Sequence, residues 1–472
     1  MSENLVLLFI TLKMTLEPSY NTLILGTGLK ECIISGMFSV SRESVLQMEK
    51  NSYYGGSTAS LNADQLYEHF EGQNEGRREE LGHNRDYSVD LCPKLILSRG
   101  KLIKVLTATS VASRYLKFKS IGNSYVQKDS TIHRVPSTAR EAMGSSLMGL
   151  FEKNRCRKFL NFVYGYKPDE TTVFKRMDMM ITPMRDVFDY FSLQPTTIDM
   201  LGHAMALYRN DDYLDMPAHE TIKKLKLYGL SLARFGRSPY VYPVFGLGDV
   251  SQAYARLSAV YGGTFILNNQ PTDFTFDEEG KVNGATIMGQ HVGVSRIVAD
   301  WTYFPEKVEK IGQVVRAICI MRHGIPNTDD IDSCQIIIPA TEVGNRRSDI
   351  YVSLLSSTHK ICEKKCWIAT CSTVVETDTP MNELQSAFNL LNLSPQDQVF
   401  HEVIDQVRVI DDGTKDNIFV VSSYDEMSHF ETTVDDVAEV YERMTGENIW
   451  SVVDRYNEEL TAAAKSQGTI PK

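Results

Sequence analysis

A glycine turn between an apolar strand and a helix most strongly constrains the fold of this 472-residue chain. Residues 22–25 form a short, mostly apolar run that leads into Gly26-Thr27-Gly28. A helix is predicted over residues 29–38 and a second strand over 44–48, which ends at Glu49. Strand, turn, helix and strand in this order predict a βαβ unit with a right-handed crossover. We therefore expect an α/β domain built around a parallel sheet.

The same turn raises the question of a bound dinucleotide, whose diphosphate rests on such a helix N-terminus. Glu49 stands where dinucleotide-binding folds place their ribose-binding acid. The third glycine of the motif, which lets helix and strand pack closely, is replaced by Glu31. A glutamate adds bulk there, and its negative charge repels a diphosphate at short range. A bound dinucleotide and a fold kept without its cofactor both stay open, and the sequence favours the second.

The middle of the chain predicts an inserted helical domain. Between Pro136 and Phe235 apolar residues recur at helical spacing, as at Ile198, Leu201 and Met205, and strand signals are hard to find. We expect this smaller domain to be all-helical and to cover residues 136–238. Residues 15–135 and 239–472 are then expected to form one large domain.

Strand signals return after this insertion, and they predict mixed parallel and antiparallel sheets in the large domain. A helix follows from Val434 to Met444, for which Thr433 and Asp436 predict a capping box and Gly446 the end. The predicted strands cover residues 274–276, 285–288, 334–339, 350–355, 367–375 and 417–422.

Charge and motifs exclude several classes of function. Forty-nine basic and sixty acidic residues give a net charge of -11, so the chain has no general attraction for nucleic acid or anionic membranes. Neither G-x-S-x-G nor H-E-x-x-H occurs, and no catalytic or metal site is expected. The eight cysteines form no C-x-x-C pair. Cys362, Cys366 and Cys371 either bind a metal or are idle, reduced thiols, and the sequence favours thiols.

The chain ends suggest a protein without a membrane anchor of its own. The apolar run from Leu5 to Leu12 is too short to span a bilayer, which needs about 20 apolar residues. No C-terminal prenylation motif is present, since the chain ends Thr-Ile-Pro-Lys. We expect a soluble, cytoplasmic protein.

Seven sequence blocks carry a more specific signal. In order along the chain they are 25–33 (LGTGLKECI), 51–56 (NSYYGG), 145–153 (SSLMGLFEK), 206–215 (ALYRNDDYLD), 238–243 (SPYVYP), 261–264 (YGGT) and 429–433 (HFETT). The series resembles the Rab GDP-dissociation inhibitor family, whose members share the glutamate at the position of the third glycine. The resemblance runs from about residue 20 to about residue 450 with few gaps.

This resemblance implies a large domain like that of FAD-binding monooxygenases, without the flavin, and a smaller helical domain. It also implies a protein that is not an enzyme and that binds prenylated Rab GTPases in their GDP form as a monomer or 1:1 complex. The large domain of the family grips the GTPase switch regions, and the helical domain receives the geranylgeranyl lipid. Such a complex slows GDP release, keeps the Rab soluble and recycles it after transient membrane contact in vesicle transport.

The resemblance maps the family's Rab-binding platform onto Tyr54, Asp249, Gln252, Arg256, Thr264 and Ile266. The residues agree in part, because a helix predicted over 251–261 places Gln252 and Arg256 on one face, beside an inward stripe of Ala253, Leu257 and Val260. The alternative is that Asp249 only caps the helix and Arg256 is solvated. The chain departs from the family pattern at Asp249, Ser251 and Ile266, where Glu, Pro and Met are usual.

Two further sites follow from the resemblance. Arg234, Ser238 and Tyr240 match a mobile effector loop thought to meet a membrane or a receptor, although an ordinary helix-to-strand linker would look the same. The apolar side chains of Met143, Leu147, Leu150, Phe159 and Val163 are candidates for a prenyl pocket. Such a stripe is more often plain helical core.

Two rival functions remain. A flavin-dependent amine oxidase would use the same fold, but Glu31 argues against it. A Rab escort protein resembles the chain at residues 97–100 (LSRG), but escort proteins carry a large insertion that is missing here.

Overall fold

The computed structural model of this chain describes residues 16–74, 78–137, 141, 148–167, 173–344 and 346–466. Within these ranges no helix combines the length and the apolar character needed to cross a bilayer.

Strands dominate the parts before and after the helical region. Their bounds are β1 Ser19–Leu25, β2 Val45–Glu49, β3 Ser60–Leu61, β4 Val89–Asp90, β5 Ile96–Leu97, β6 Phe118–Ser120, β7 Asn123–Lys128, β8 Thr131–Arg134, β9 Val173–Phe174, β10 Met177–Asp178, β11 Tyr240–Pro243, β12 Thr264–Leu267, β13 Asp273–Phe276, β14 Val282–Ile287, β15 Gln290–Asp300, β16 Val308–Met321, β17 Ser333–Ile338, β18 Ile350–Ser356, β19 Trp367–Val374, β20 Gln398–Val409 and β21 Ile418–Val421.

The α-helices of the described residues cover the sheets and form the middle of the chain. Their bounds are α1 Leu29–Val40, α2 Ala63–His69, α3 Lys101–Ala108, α4 Val111–Arg114, α5 Leu150–Gly165, α6 Met184–Tyr190, α7 Pro195–Asp199, α8 Ala218–Phe235, α9 Gly248–Val260, α10 Gln385–Leu391, α11 Glu431–Thr445 and α12 Ile449–Ser466.

The first large sheet contains the predicted βαβ unit. Its strand order is β12-β2-β1-β15-β14-β13, and β21 also pairs with β15. β12, β2, β1, β15 and β21 are parallel, while β13 and β14 add an antiparallel edge. Helix α1 covers one face and packs closely on α9, where a Cβ atom on Gly36 would lie only 2.4 Å from the Tyr254 ring. The parallel sheet therefore holds both the glycine turn and α9 in fixed positions.

The second large sheet has the order β20-β16-β19-β18-β17-β7-β8 and is antiparallel except for the pair β17 and β7. Four of the predicted strands fall in or near this sheet, and β17, β18, β19 and β21 confirm them. The two longest strands, β16 and β20, were not predicted. Most of β20 is half-buried and mixes polar with apolar side chains, so it lacks the apolar run that marked the others. β16 does contain such a run, since its last eight residues, Val314 to Met321, are all buried and seven of them are apolar, and the prediction overlooked it.

The N-terminal cap of helix α11 differs from the predicted one. Helix α11 begins at Glu431 after Phe430, so the predicted capping box of Thr433 and Asp436 is wrong. Asp436 instead accepts hydrogen bonds from the buried Lys30 ammonium group, at 2.6 Å, and from the backbone N–H of Ser422. Gly446 ends the helix in a left-handed conformation, as expected.

The middle of the described chain, residues 148–238, is mainly helical. It contains α5 to α8 and a π-helical turn from Met200 to Met205. The short hairpin of β9 and β10 departs from the expected all-helical composition. The division into residues 136–238 and a large remainder stays a prediction.

Charged contacts join this helical region to the rest of the chain. His203, in the π-helical turn, contacts Asp349 at 2.8 Å through Nδ1 and Asp211 at 3.2 Å through Nε2. Arg209 Nε lies 3.6 Å from the buried carboxylate of Glu426. Burial alone would lower the pKa of His203, but the two carboxylates outweigh it and raise the pKa to about 10. His203 is therefore a charged contact between the two parts of the chain.

Candidate functional site

The glycine turn is filled by a side chain of the protein itself. Gly26 adopts a left-handed backbone with φ of 109°. The carboxyl group of Glu31 lies over Gly28, where an added Cβ atom would be 2.5 Å from Glu31 Oε2. Both carboxyl oxygens are buried and have no hydrogen-bond partner among the described residues. Burial, reinforced by the nearby Asp300, raises the pKa of Glu31 to about 8.

This geometry changes the argument made from the sequence. Glu31 was expected to exclude a diphosphate through both its bulk and its charge, but with a pKa of about 8 its carboxyl group is mostly neutral at pH 7. The obstacle at the turn is therefore mainly steric.

Glu49, which stands at the position of a ribose-binding acid, is also engaged by the chain. Its Oε2 accepts hydrogen bonds from the backbone N–H and the hydroxyl of Thr27, both at 2.8 Å. Its Oε1 accepts from the backbone and side-chain amides of Asn51. The Thr27 hydroxyl in turn accepts from the Gly55 N–H at 2.8 Å. These bonds tie the loop that carries Tyr54 to the glycine turn.

Helix α9 presents two of the predicted platform residues to solvent. Gln252 and Arg256, one turn apart, are both exposed, while Ala253, Tyr254 and Leu257 are buried beneath them. The predicted inward position of Val260 is wrong. It lies at the end of the helix with 68% of its surface exposed.

Asp249 lies in the first turn of α9 and is half-buried. Burial raises the pKa of Asp249, and the positive charge of Arg256 acts in the opposite direction. Asp249 and Gln252 line a cavity of about 660 Å³ that Phe245 and Cys362 also border. The sequence-predicted Asp249, Gln252 and Arg256 thus share one side of α9.

The start of α9 depends on a residue that the sequence did not indicate. Asp90 is buried and accepts hydrogen bonds from the Ser60 and Tyr242 hydroxyls and from the Leu247 N–H, the last at 2.9 Å. Ser60 Oγ accepts a hydrogen bond from the N–H of Gly248 at 2.7 Å. Burial raises the pKa of Asp90 to about 6, although the hydrogen bonds from these donors act to lower it. No motif marks this aspartate, because its partners come from two distant parts of the chain, around Ser60 and between Tyr242 and Leu247.

The remaining platform residues surround β12. Tyr54 is half-buried, and its ring centroid lies 6.4 Å from that of Phe265. The half-buried Thr264 accepts a hydrogen bond from the Tyr20 hydroxyl at 3.3 Å. Ile266 packs in the core of the parallel sheet, so its prediction as a surface contact is wrong. Side chains alternate along a strand, and Ile266 falls on the buried face.

The predicted mobile effector loop is not a loop throughout. Arg234 is exposed in the last turn of α8, and its guanidinium donates a hydrogen bond to the Ser98 carbonyl. Ser238 is buried, and Tyr240 belongs to β11 and is buried as well. Ser238 and Tyr240 are therefore not accessible on the surface of this structure, because the strand pairs with β5 and β6 directly after Pro239. The mobility of the segment stays a prediction.

The candidate prenyl residues do not share one environment. Phe159 and Val163 are fully buried, and the Phe159 ring contacts those of Phe188 and Phe191 at centroid distances of 5.4 Å. Leu150 is 70% exposed at the start of α5. Met143 and Leu147 lie outside the described residues.

Asp199, His203 and Asp211 form a group with metal-ligand spacing. Both ring nitrogens of His203 already contact carboxylates, and its raised pKa keeps the ring protonated. A protonated imidazole donates from both nitrogens and has no lone pair for a metal. We therefore interpret this group as an ion-pair network.

Comparisons with known proteins show which chains this one resembles. A family described as GDP dissociation inhibitor matches residues 16–455. Guanosine nucleotide diphosphate dissociation inhibitor 2 of Arabidopsis thaliana is 46% identical over 453 residues, which cover 96% of this chain and all of that protein. The crystal structure of a Rab GDI from Plasmodium falciparum superposes with a TM-score of 0.85 at 40% identity and covers 92% of this chain and 99% of that one.

A more distant likeness concerns the fold alone. An oxidoreductase from Methanosarcina mazei superposes with a TM-score of 0.57 at 10% identity, over 89% of this chain and all of that one. The fold is therefore shared with oxidoreductases, as expected for a large domain of the FAD-binding type.

Proposed function

The chain belongs to the GDP dissociation inhibitor family, and from this premise we propose that it binds prenylated Rab GTPases in their GDP-bound form. In this proposal it is a binding protein without catalytic activity. It slows GDP release, keeps the lipidated GTPase soluble in the cytoplasm and returns it from membranes during vesicle transport.

The observation that carries the proposal is the exposed face of α9. Gln252 and Arg256 point to solvent from a helix whose other side is buried, and Asp249 stands beside them. An exposed arginine beside an acidic and an amide side chain, near a half-buried tyrosine, has the composition of an interface hot spot. We assign the contact with the GTPase switch regions to Tyr54, Asp249, Gln252, Arg256 and Thr264.

The departures from the family pattern differ in their expected effect. Ser251 and Ile266 are buried, so we place neither of them in direct contact with the partner. Asp249 is half-exposed on the platform side of the helix. Its carboxylate reaches one methylene less far than that of the usual glutamate, so we assign any difference in partner affinity to this position.

We propose that the helical region receives the geranylgeranyl lipid. Phe159 and Val163 are buried among aromatic rings, so a lipid would reach them only if the helices around α5 move apart. Leu150 and Phe151, at the start of α5, are 70% and 84% exposed and offer an apolar surface from which a lipid could enter. Arg234 is the accessible member of the proposed effector segment, and we assign any membrane or receptor contact to it.

We further propose that the dinucleotide site of the fold stays closed during this function. Glu31 fills the glycine turn and Glu49 is engaged by Thr27 and Asn51. A flavin would have to displace the Glu31 side chain and break the hydrogen bonds of Glu49. The arrangement supports a scaffold for protein binding, in which the former cofactor site stiffens the loop of Tyr54.

The deciding experiment compares nucleotide states. Prenylated Rab is loaded with GDP or with a non-hydrolysable GTP analogue, and the affinity of the full chain for each form is measured. We expect the GDP form to bind at least about tenfold more tightly, which corresponds to about 1.4 kcal/mol. By linkage, such a preference slows net exchange toward GTP. Equal affinities for the two forms would overturn the proposal.

A further inference from the structure

Two cysteines lie together in the tight loop between β18 and β19. Cys362 donates a hydrogen bond from Sγ to the carbonyl oxygen of Cys366 at 3.2 Å. The Tyr87 hydroxyl lies 3.8 Å from Cys366 Sγ. Both thiols are buried and unpaired by disulfides. The sulfur of one cysteine therefore already rests against the residue that carries the other.

The thiol of Cys366 is the more acidic of the pair, because the hydrogen bond with Cys366 and burial raise the pKa of Cys362. Hydrogen bonding from Cys362, together with the positive charge of Arg322 and the Tyr87 hydroxyl, lowers the pKa of Cys366 despite its burial. Burial raises the pKa of Cys156 to about 12. Because the thiolate is the reactive form, Cys366 is the better nucleophile of the two thiols.

The pair also adjoins a space that solvent can enter. Cys362 lines the cavity of about 660 Å³ whose wall includes Asp249 and Gln252 of α9. Cys366 is fully buried and is not part of the cavity wall, so a small oxidant must enter the loop to reach its sulfur.

We propose that Cys362 and Cys366 form a reversible disulfide on oxidation by a hydroperoxide, and that this bond weakens partner binding at the adjoining face of α9. The second half of this statement rests on the proposed function. The first half concerns only the chemistry of the two thiols.

The oxidation proceeds in two balanced steps. The Cys366 thiolate attacks one peroxide oxygen, so that an S–O bond forms, the O–O bond breaks and the departing hydroxide takes up a proton as water. Cys362 then attacks the sulfenic acid at sulfur, an S–S bond forms, and the second oxygen leaves as water. Two thiols thus lose two electrons and two protons to one peroxide, which becomes two waters when hydrogen peroxide is used. Reduction by an external dithiol reverses the change.

Backbone hydrogen bonds connect this loop to the start of α9. The carbonyl oxygen of His359 accepts from the Phe245 N–H at 2.9 Å, and that of Ile361 accepts from the Ser88 N–H at 3.0 Å. Ser88 Oγ donates to the Phe245 carbonyl at 2.7 Å. Phe245 has a φ of 80° and lies in the turn just before α9. Closing a disulfide draws Cys362 away from the Cys366 carbonyl, and these bonds transmit the shift to the turn.

The thiol chemistry is tested on the reduced full chain, treated with a modest excess of hydrogen peroxide. We expect the intact mass to fall by two hydrogen atoms and to recover with a dithiol reductant. Trypsin cuts after Lys364 and Lys365, so the bond joins a peptide that ends at Lys364 to one that begins with Cys366. Cys366→Ser separates this linkage from one through Cys371, and Cys156→Ser is the matched control that keeps it. Added oxygen atoms without a 362–366 linkage would overturn the proposal.

The effect on binding is measured with GDP-loaded Rab and the same samples. We expect oxidised wild type to bind at least about threefold more weakly than reduced wild type, roughly 0.6 kcal/mol. Cys362→Ser should bind equally before and after peroxide, while Cys156→Ser should respond as wild type does. An oxidised protein with the mapped disulfide and unchanged affinity overturns the link to α9. Failure of the reduced protein to bind Rab overturns the proposed function instead and leaves the disulfide result standing.

Discussion

The carboxyl group of Glu31 occupies the space directly above Gly28, so that a Cβ atom on that glycine would lie 2.5 Å from Glu31 Oε2. A diphosphate on the helix N-terminus would need the same space. We therefore expect purified protein to be colourless and to bind neither flavin nor nicotinamide dinucleotides tightly. Absorbance spectra and calorimetric titration check this, and a stoichiometric flavin spectrum or micromolar flavin affinity would contradict it.

The same carboxyl group predicts a pH dependence of stability. Its folded pKa of about 8 lies above the ordinary value of 4.5, so the folded protein keeps a proton that the unfolded chain releases between these pH values. The stability contributed by this proton is fully present below about pH 4.5 and is lost as the pH rises through 8. Glu31→Gln is neutral at every pH. Relative to wild type, we expect the free energy of unfolding of this variant to rise by a few kcal/mol between pH 5 and pH 9, at about 1.4 kcal/mol per pKa unit.

Urea unfolding at a series of pH values measures this difference. Glu279→Gln, at an exposed hairpin turn, serves as the control and should follow wild type throughout. A constant offset between Glu31→Gln and wild type from pH 5 to pH 9 would refute the raised pKa.

The contact between His203 and Asp349 predicts a second stability effect. Replacing His203 by alanine leaves the fully buried Asp349 without its positive partner, and breaking a buried ion pair commonly costs roughly 3–5 kcal/mol. The folded pKa of about 10 lies above the ordinary 6.5, so the stabilisation is complete below pH 6.5 and disappears as the pH rises through 10. We expect the cost of His203→Ala, measured by denaturant unfolding, to be large at pH 6 and smaller above pH 10.

The exposed His291 provides the control for this experiment. His291→Ala should change the free energy of unfolding by less than about 0.5 kcal/mol. If His203→Ala costs no more than this control at pH 6, the histidine does not join the helical region to the sheet.

The sequence indicated the parts of the fold whose signals are local. The βαβ unit followed from the order of strand, glycine turn and helix, and the exposed pair Gln252 and Arg256 followed from helical spacing. The long strand β20 was missed because most of its side chains are half-buried and form no apolar pattern. The long strand β16 was missed although its last eight residues form a buried, mostly apolar run. Both strands are stabilised by pairing with each other, and a short stretch of sequence does not show that pairing.

The errors at the site have the same physical origin. Ile266, Ser238 and Tyr240 occupy positions that match the family pattern. That pattern does not tell which of these side chains are buried, because burial depends on how β12 and β11 pack against the core. Asp90 was missed because it anchors α9 through Ser60, Tyr242 and Leu247, all of which lie far from Asp90 in sequence. Glu31 was expected to act through both its bulk and its charge, whereas burial leaves its carboxyl group mostly neutral at pH 7.

Replacing Arg256 by alanine distinguishes the proposed platform from a solvated helix surface. Truncating a central interface arginine commonly costs roughly 2 kcal/mol, about thirtyfold in affinity. Because Arg256 is exposed and the buried side of α9 is formed by other residues, its loss should change the free energy of unfolding by less than about 0.5 kcal/mol. The affinity for unprenylated, GDP-loaded Rab is measured at high protein concentration, so that lipid binding does not mask the contact.

The matched control is Arg157→Ala, which removes an exposed arginine from a helix of the helical region. It should leave both the affinity and the melting temperature unchanged, since Arg157 lies far along the chain from α9 and outside the proposed platform. Arg256→Lys keeps the charge but loses the planar guanidinium, so an intermediate affinity would indicate that hydrogen-bond geometry contributes beyond charge. Wild-type affinity in Arg256→Ala would remove this residue from the platform. A fall of many degrees in its melting temperature would instead mean that Arg256 supports α9 itself, through its interaction with Asp249.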